Sequence, residues 1–215
     1  PAVRPLVMGA TFGIALTLVI IAGSELFTGH TMFLTLGVKA GTISQSQMWA
    51  ILPQTWMGNL LGSVFVALLY CWGSGSLLPV DSSLVHTVAL AKTSQSAMAL
   101  FFKGALCNWL VCLAIWMAIR TEGAAKFIAI WWCLLAFIAS GYEHSVANMT
   151  LFALSWFGHH SDAYTLAGIG HNLLWVTLGN TLSGVVFMGL GYWYATPKSE
   201  RPAPEKTNET ESLAQ

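Results

Sequence analysis

Apolar residues in this chain fall in long runs separated by short polar connections, and the length of the runs sets the first expectation. A helix that crosses a bilayer needs about 20 mostly apolar residues. Five runs are that long: Leu6 to Val38, Trp49 to Trp72, Ala97 to Ile119, Phe127 to Phe157 and Ala167 to Tyr194. The first and fourth are too long for a simple span. Each is interrupted by polar residues, at Gly23-Ser24-Glu25-Leu26-Phe27-Thr28-Gly29-His30 and at Gly141-Tyr142-Glu143-His144-Ser145-Val146-Ala147-Asn148. Both read as broken helices. Irregular backbone at membrane depth is tolerated only where protein or a water-filled cavity receives its polar groups. The pattern predicts an all-α membrane domain over residues 1–195, with helices at about 2–38 (broken), 47–72, 97–120, 127–157 (broken) and 167–195.

The connections follow the same logic. Lys39 to Met48 is polar, Arg120 to Lys126 is a tight charged turn, and Gly158 to Thr165 carries His159, His160 and Asp162. Gly73 to Ser96 reads as the longest loop, with Pro79, Asp81, His86 and Lys92. Residues 196–215, rich in Pro and Glu, are expected to form a disordered tail. Lys39, Arg120, Lys126, Lys198, Arg201 and Lys206 fall on one face of the membrane, and Arg4, Lys92 and Lys103 on the other. The excess of basic residues marks the first face, and with it the tail, as cytoplasmic.

The pattern also repeats. Gly23-Ser24-Glu25 is followed by Gly58-Asn59-Leu60-Leu61-Gly62, and Gly141-Tyr142-Glu143 by Gly179-Asn180-Thr181-Leu182-Ser183-Gly184. Each unit is a broken helix with an acid at its break, then a helix with a Gly-Asn-Gly face. The second break comes three crossings after the first, so the units run in opposite senses. Inverted repeats with paired broken helices point to a substrate site near the bilayer midplane. The helix at Ala97 to Ile119 precedes the second break, and its counterpart before the first break is not in the sequence. The chain begins at Pro1 with no leader segment, so five of six helices are expected here, the first being the missing one.

Composition narrows the class. The chain has 215 residues, 55% hydrophobic and 8% charged, with a formal net charge of zero. A soluble domain carries about 25% charged residues. No basic patch suggests nucleic acid as a partner. Cys71, Cys107, Cys112 and Cys133 lie in apolar runs without CxxC spacing, which fits buried thiols rather than disulfides or a zinc site. No cofactor is implied.

The polar groups inside the membrane are the candidate chemistry, because ionisable residues at that depth are expensive. Glu25 and Glu143 read as structural caps whose carboxylates accept backbone N–H bonds from the half-helix after each break. His144 has two readings. One is a buried neutral imidazole satisfied by a neighbour. The other is a group that attracts an anion or protonates it, since histidine titrates near neutral pH and a neutral weak acid crosses apolar barriers more cheaply than its anion. Thr28, Asn108 and Asn148 are uncharged hydrogen-bond donors suited to a pore for small oxyanions. Asn59 and Asn180 read as glue between helices beside small glycines. Lys92 is a candidate for drawing anions to an outer vestibule, and Lys103 for snorkelling to the interface. Phe12, Leu16, Leu26, Phe27 and Phe137 are packing residues unless the breaks line a pore, where they become constrictions. His159, His160, Asp162 and His171 are too loosely spaced to predict a metal site.

Three of these stretches resemble the formate/nitrite transporter family. Ile20 to Gly29 (IIAGSELFTG) is similar to its first signature, Gly104 to Ala114 (GALCNWLVCLA) to its second, and Gly141 to Met149 (GYEHSVANM) to the motif around its pore histidine. The resemblance runs to about Tyr194 and is closest to the nitrite channels within the family. It implies an aquaporin-like inverted-repeat protomer in a homopentamer, each protomer with its own pore, in a bacterial inner membrane. It also implies passage of small monovalent anions, nitrite first and formate or hydrosulfide as alternatives, and a part in nitrate assimilation. It places the pore histidine at His144, the loop threonine at Thr28, the vestibule lysine at Lys92, the pore asparagine at Asn108, and the narrow gates at Phe12, Leu16, Leu26, Phe27 and Phe137. An intramembrane enzyme using Glu143 and His144 is a distant alternative, since no nucleophile with a matching base is present.

Overall fold

A computed structural model describes residues 3–74, 84–158 and 160–201. Pro79, Asp81, His159 and the tail beyond Arg201 lie outside the described residues. All described secondary structure is helical. The first long apolar run is α1 (Arg4–Ala22) and α2 (Phe27–Ala40), and α3 (Gln45–Ser74) returns across the bundle. α4 (Leu84–Thr93) is short, and α5 (Ala97–Ile119) crosses again. The second broken run is α6 (Gly123–Ala139) and α7 (Ser145–Phe157). α8 (Leu166–Leu182) continues through a π-helical stretch, Ser183–Leu190, into α9 (Gly191–Ala195). α1, α3, α5 and the α8–α9 segment are each long and apolar enough to span a membrane.

The Gly73–Ser96 segment is therefore not all loop. Leu84 to Thr93 repeats apolar residues at helical spacing, and the helix buries Ala89 against Met149, Phe152, Tyr164 and Leu173. Ten residues are too few to span the bilayer, so α4 lies at one end of the bundle, where its last turn carries Lys92 over the second break.

The two breaks have the same backbone. α1 ends at Gly23, with φ +75°, and α6 is followed by Gly141, with φ +67°. That left-handed conformation strains any residue with a Cβ, and it turns the chain without a proline. Two residues past each glycine stands the acid. Then comes an extended residue, Leu26 at φ −126° or His144 at φ −116°, which starts the next half-helix. The reversed order of elements makes the breaks approach each other from opposite sides.

Close backbone crossings hold the bundle together, as expected where lipid gives helices no hydrophobic reason to associate. α5 and α8 meet at Gly104 and Gly179. A Cβ on Gly104 would lie 2.8 Å from the Val176 carbonyl oxygen, and one on Gly179 would fall on the carbonyl of Phe101. The π-helical stretch likewise brings Gly184 and Gly189 against Thr31 and Thr35 of α2. The main core lies between α5, α6 and the first broken helix and includes Leu16, Met32, Val111, Ile115, Ile130, Leu134 and Phe137.

Candidate functional site

Backbone groups freed by the breaks must find partners inside the protein. One asparagine does this at each break. Asn59 of α3 accepts from the Phe27 N–H (2.9 Å) and donates to the Glu25 carbonyl (2.9 Å). Asn180 of α8 accepts from the Ser145 N–H (2.9 Å) and donates to the carbonyls of Glu143 (3.1 Å) and Gly104 (2.8 Å). These residues are the caps of the half-helices and not only packing partners for the glycines. The same register pairs Glu25 with Glu143, Leu26 with His144, and His30 with Asn148. His144 therefore corresponds to Leu26.

The carboxylates do not cap the half-helices, contrary to expectation. Glu143 accepts from Lys92 Nζ (2.8 Å), Gln95 Nε2 (3.1 Å) and Asn148 Nδ2 (2.7 Å), all side chains. Its side chain is 2% exposed and that of Lys92 18%. A carboxylate this deeply buried requires a cation and full hydrogen bonding, and α4 supplies the cation. Lys92 is thereby an ion-pair partner, not a free charge for passing anions. Lys103 does not simply snorkel. Its Nζ donates to Gln95 Oε1 (2.6 Å), and its carbonyl accepts from the Glu143 N–H. Glu25 pairs instead with His30 Nε2, and its side chain is 74% exposed.

His144 takes over the capping position of α7, where its Nδ1 accepts from the Ala147 N–H (3.1 Å). Its Nε2 lies 3.0 Å from the hydroxyl of Thr28, which is fully buried. An imidazole nitrogen that accepts a bond carries no proton, so the ring's proton sits on Nε2 and points at Thr28. This arrangement favours a hydrogen-bonding role of His144 over proton transfer. An imidazolium has no lone pair left for Ala147, and a neutral ring giving up its only proton would become an imidazolate. The geometry suits a neutral hydrogen-bond donor.

The two breaks bound two cavities. The first, about 410 Å³, is lined by Phe12, Leu16, Leu26, Val111, Phe137 and His144 among others, with α7 residues out to Leu154. Phe137 stacks on His144, with ring centroids 6.0 Å apart, and meets Phe12 edge-to-face at 5.8 Å. The second, about 330 Å³, shares Val19 and Leu26 with the first and is otherwise lined by Ile20, Ser24, Glu25, Gly29, His30, Phe33, Ile115 and Ile119. Leu26 thus stands between them.

Other expected pore residues lie elsewhere. Phe27 is buried against Met48 and Leu52 of α3 and lines neither cavity. Asn108 Nδ2 is occupied by the Thr28 carbonyl, the Thr31 hydroxyl and the Asn180 carbonyl. Asn148 spends its amide on Glu143 and Asn172. Both brace the breaks instead of offering donors to the cavities. His160 stacks on Trp156 and His171 contacts the Gln95 carbonyl, so these two side chains have separate partners. Neither Gln95 nor Asn172 stood out in the sequence, because an amide near a helix end has no pattern of its own. His30 was visible inside the first break, and pairing it with Asn148 is the signal that would have singled it out.

A family model described as formate/nitrite transporter matches residues 1–194. The chain belongs to the formate/nitrite transporter family. A curated relative, the nitrite transporter NirC of Salmonella typhimurium strain LT2, is 89% identical over 214 residues, covering 100% of this chain and 80% of the relative. Among solved structures, an FNT family ion channel matches with TM-score 0.90 and 91% identity over 92% of this chain and 79% of that one. A pentameric formate channel with formate bound matches with TM-score 0.76 and 28% identity, over 90% of this chain and 84% of that one. Members of this family are transporters and channels, and the all-helical bundle with paired breaks is the transporter fold of the family.

Proposed function

We propose that this chain is the conducting unit of a nitrite channel. The observation that carries the reading is the meeting of two inverted breaks at the His144–Thr28 contact, at the edge of an apolar cavity. A nitrite ion entering between Phe12 and Phe137 reaches His144 Nε2–H, which turns from Thr28 to the anion. The Thr28 hydroxyl, released as an acceptor, becomes a second donor. Apolar walls exclude larger hydrated ions, and nitrite leaves past Leu26, as the anion or joined to a proton from the outer solution as the weak acid, toward the face that carries Lys39, Arg120 and Lys126. Identity of 89% to a protein named for nitrite supports nitrite over formate, since the formate channel is 28% identical. The bacterial inner membrane, a homopentamer with one pore per protomer, a cytoplasmic C-terminal side and a part in nitrate assimilation belong to the same reading.

The test is flux of nitrite and formate, side by side, into liposomes that carry the full-length protein. Nitrite is expected to pass faster than formate, and Thr28→Val and His144→Leu to slow nitrite by on the order of tenfold, about one lost hydrogen bond to a charged group. Unchanged nitrite flux and selectivity in both variants would remove the central contact from the mechanism.

A further inference from the structure

The mouth beyond Leu26 contains a second imidazole whose surroundings are the opposite of those of His144. His30 Nε2 pairs with the Glu25 carboxylate, and its Nδ1 lies 3.0 Å from the Thr55 hydroxyl on α3. That hydroxyl is also 3.1 Å from the Ile51 carbonyl. A hydroxyl donates one hydrogen and rotates to suit its partner. When His30 is neutral with its proton on Nε2, Thr55 donates to Nδ1. When His30 carries a second proton, Nδ1–H donates to Thr55, and Thr55 turns its hydrogen to Ile51. His30 keeps both of its hydrogen bonds in either state, only the Thr55–Ile51 bond being made or lost, and the added charge rests beside a carboxylate. His144 has no such freedom, because its Nδ1 faces the Ala147 N–H, which cannot turn round.

The position is as telling as the chemistry. Glu25 and His30 line the 330 Å³ cavity that lies across Leu26 from the His144 cavity. The wall from α5, Ile115 and Ile119, lies next to Arg120, which places this cavity toward the basic face of the bundle. Glu25 and His30 are the ionisable residues of its lining. α1 adds Val19, Ile20 and α2 adds Gly29 and Phe33, while α3 faces the pair with the neutral Thr55 and Asn59. The Glu25 side chain is 74% exposed at this cavity, and that of His30 21%.

We propose that Glu25 and His30 form the proton-exchange site of the channel, one that accepts the proton of a weak acid leaving the Leu26 constriction and returns it to an anion moving the other way. This rests on the nitrite-channel reading. The O–H bond of the acid breaks, its proton passes through the Glu25 carboxylate to His30, an N–H bond forms there, and the anion is released. The pair then gives the proton to water, and the reverse sequence loads an outgoing anion.

The test uses liposomes that carry the full-length protein and a trapped pH dye, with nitrite entry and luminal acidification followed together against protein-free liposomes. Wild type is expected to acidify in proportion to nitrite entry. His30→Gln and Glu25→Gln are expected to keep nitrite entry but to lose the protein-dependent acidification and to flatten the pH profile of flux. Thr55→Val, which removes no ionisable group and keeps the volume of the side chain, is expected to weaken both effects and guards against a folding defect in the other variants. Acidification per nitrite equal to wild type in all three variants overturns the proposal, as does wild type passing nitrite without acidification, which leaves the channel reading standing. Wild type passing no nitrite above protein-free liposomes overturns both.

Discussion

What surrounds an ionisable side chain decides its role in the membrane more than its identity does. Glu25 and Glu143 occupy equivalent places in the two breaks, yet one opens to a cavity and the other is sealed against Lys92, Gln95 and Asn148. Breaking a buried ion pair by removing one partner costs about 3–5 kcal/mol, while replacing both with apolar residues of similar size is close to neutral. Lys92→Met is therefore expected to lower the thermal unfolding temperature of the detergent-solubilised protein strongly, and Lys92→Met with Glu143→Leu to regain most of the loss. A double variant no better than the single one would mean that Lys92 does not stabilise the fold through Glu143. The acids and His144 were legible in the sequence, because polar residues in an apolar run are conspicuous. Their partners were not, since Lys92, 51 positions away, meets Glu143 only through the docking of α4.

At the scale of elements, each half-helix starts where a neighbouring helix passes, because that neighbour carries the cap. Asn180 makes three bonds to backbone groups and is fully buried, and the close approach of α8 to α5 at Gly179 sets its position. A methyl group at Gly179 would collide with the α5 backbone, and overpacking of this kind costs about 1–3 kcal/mol. Gly170 on the same helix has open space around its Cβ position, and alanine there gains about 1 kcal/mol of helix propensity. Gly179→Ala is expected to lower the unfolding temperature and Gly170→Ala to hold or raise it. Equal effects would show that the crossing is looser than drawn. The glycines and asparagines were visible as a repeated Gly-Asn-Gly face, but their caps depend on which backbone each asparagine reaches. α4 was missed because a ten-residue helix in a polar connection lacks the length that makes a span recognisable.

For the molecule as a whole, the inverted order of helices brings two breaks to one depth and leaves the remaining faces apolar. The excess of basic residues on the face of Lys39, Arg120 and Lys126 sets the proposed orientation. With Cys71 replaced by Ser, Thr42→Cys in the α2–α3 connection and Asp162→Cys in the α7–α8 connection lie on opposite faces and are both exposed. In intact cells a membrane-impermeant maleimide is expected to label the Asp162→Cys variant at once and the Thr42→Cys variant only after permeabilisation. The reverse pattern would invert the direction of the proposed path.

The sequence by itself determined the helical membrane class, the two breaks and their inverted relation, because run length, glycine placement and polar interruptions are local properties of the chain. It also marked His144 and Thr28, which the fold brings to 3.0 Å. Only the tertiary structure decided what each polar group does. Whether a nitrogen faces a donor or an acceptor depends on residues far away in the chain, such as Ala147 against Thr55. That difference makes His144 a fixed donor at the centre and leaves His30, beyond Leu26, free to take up a proton.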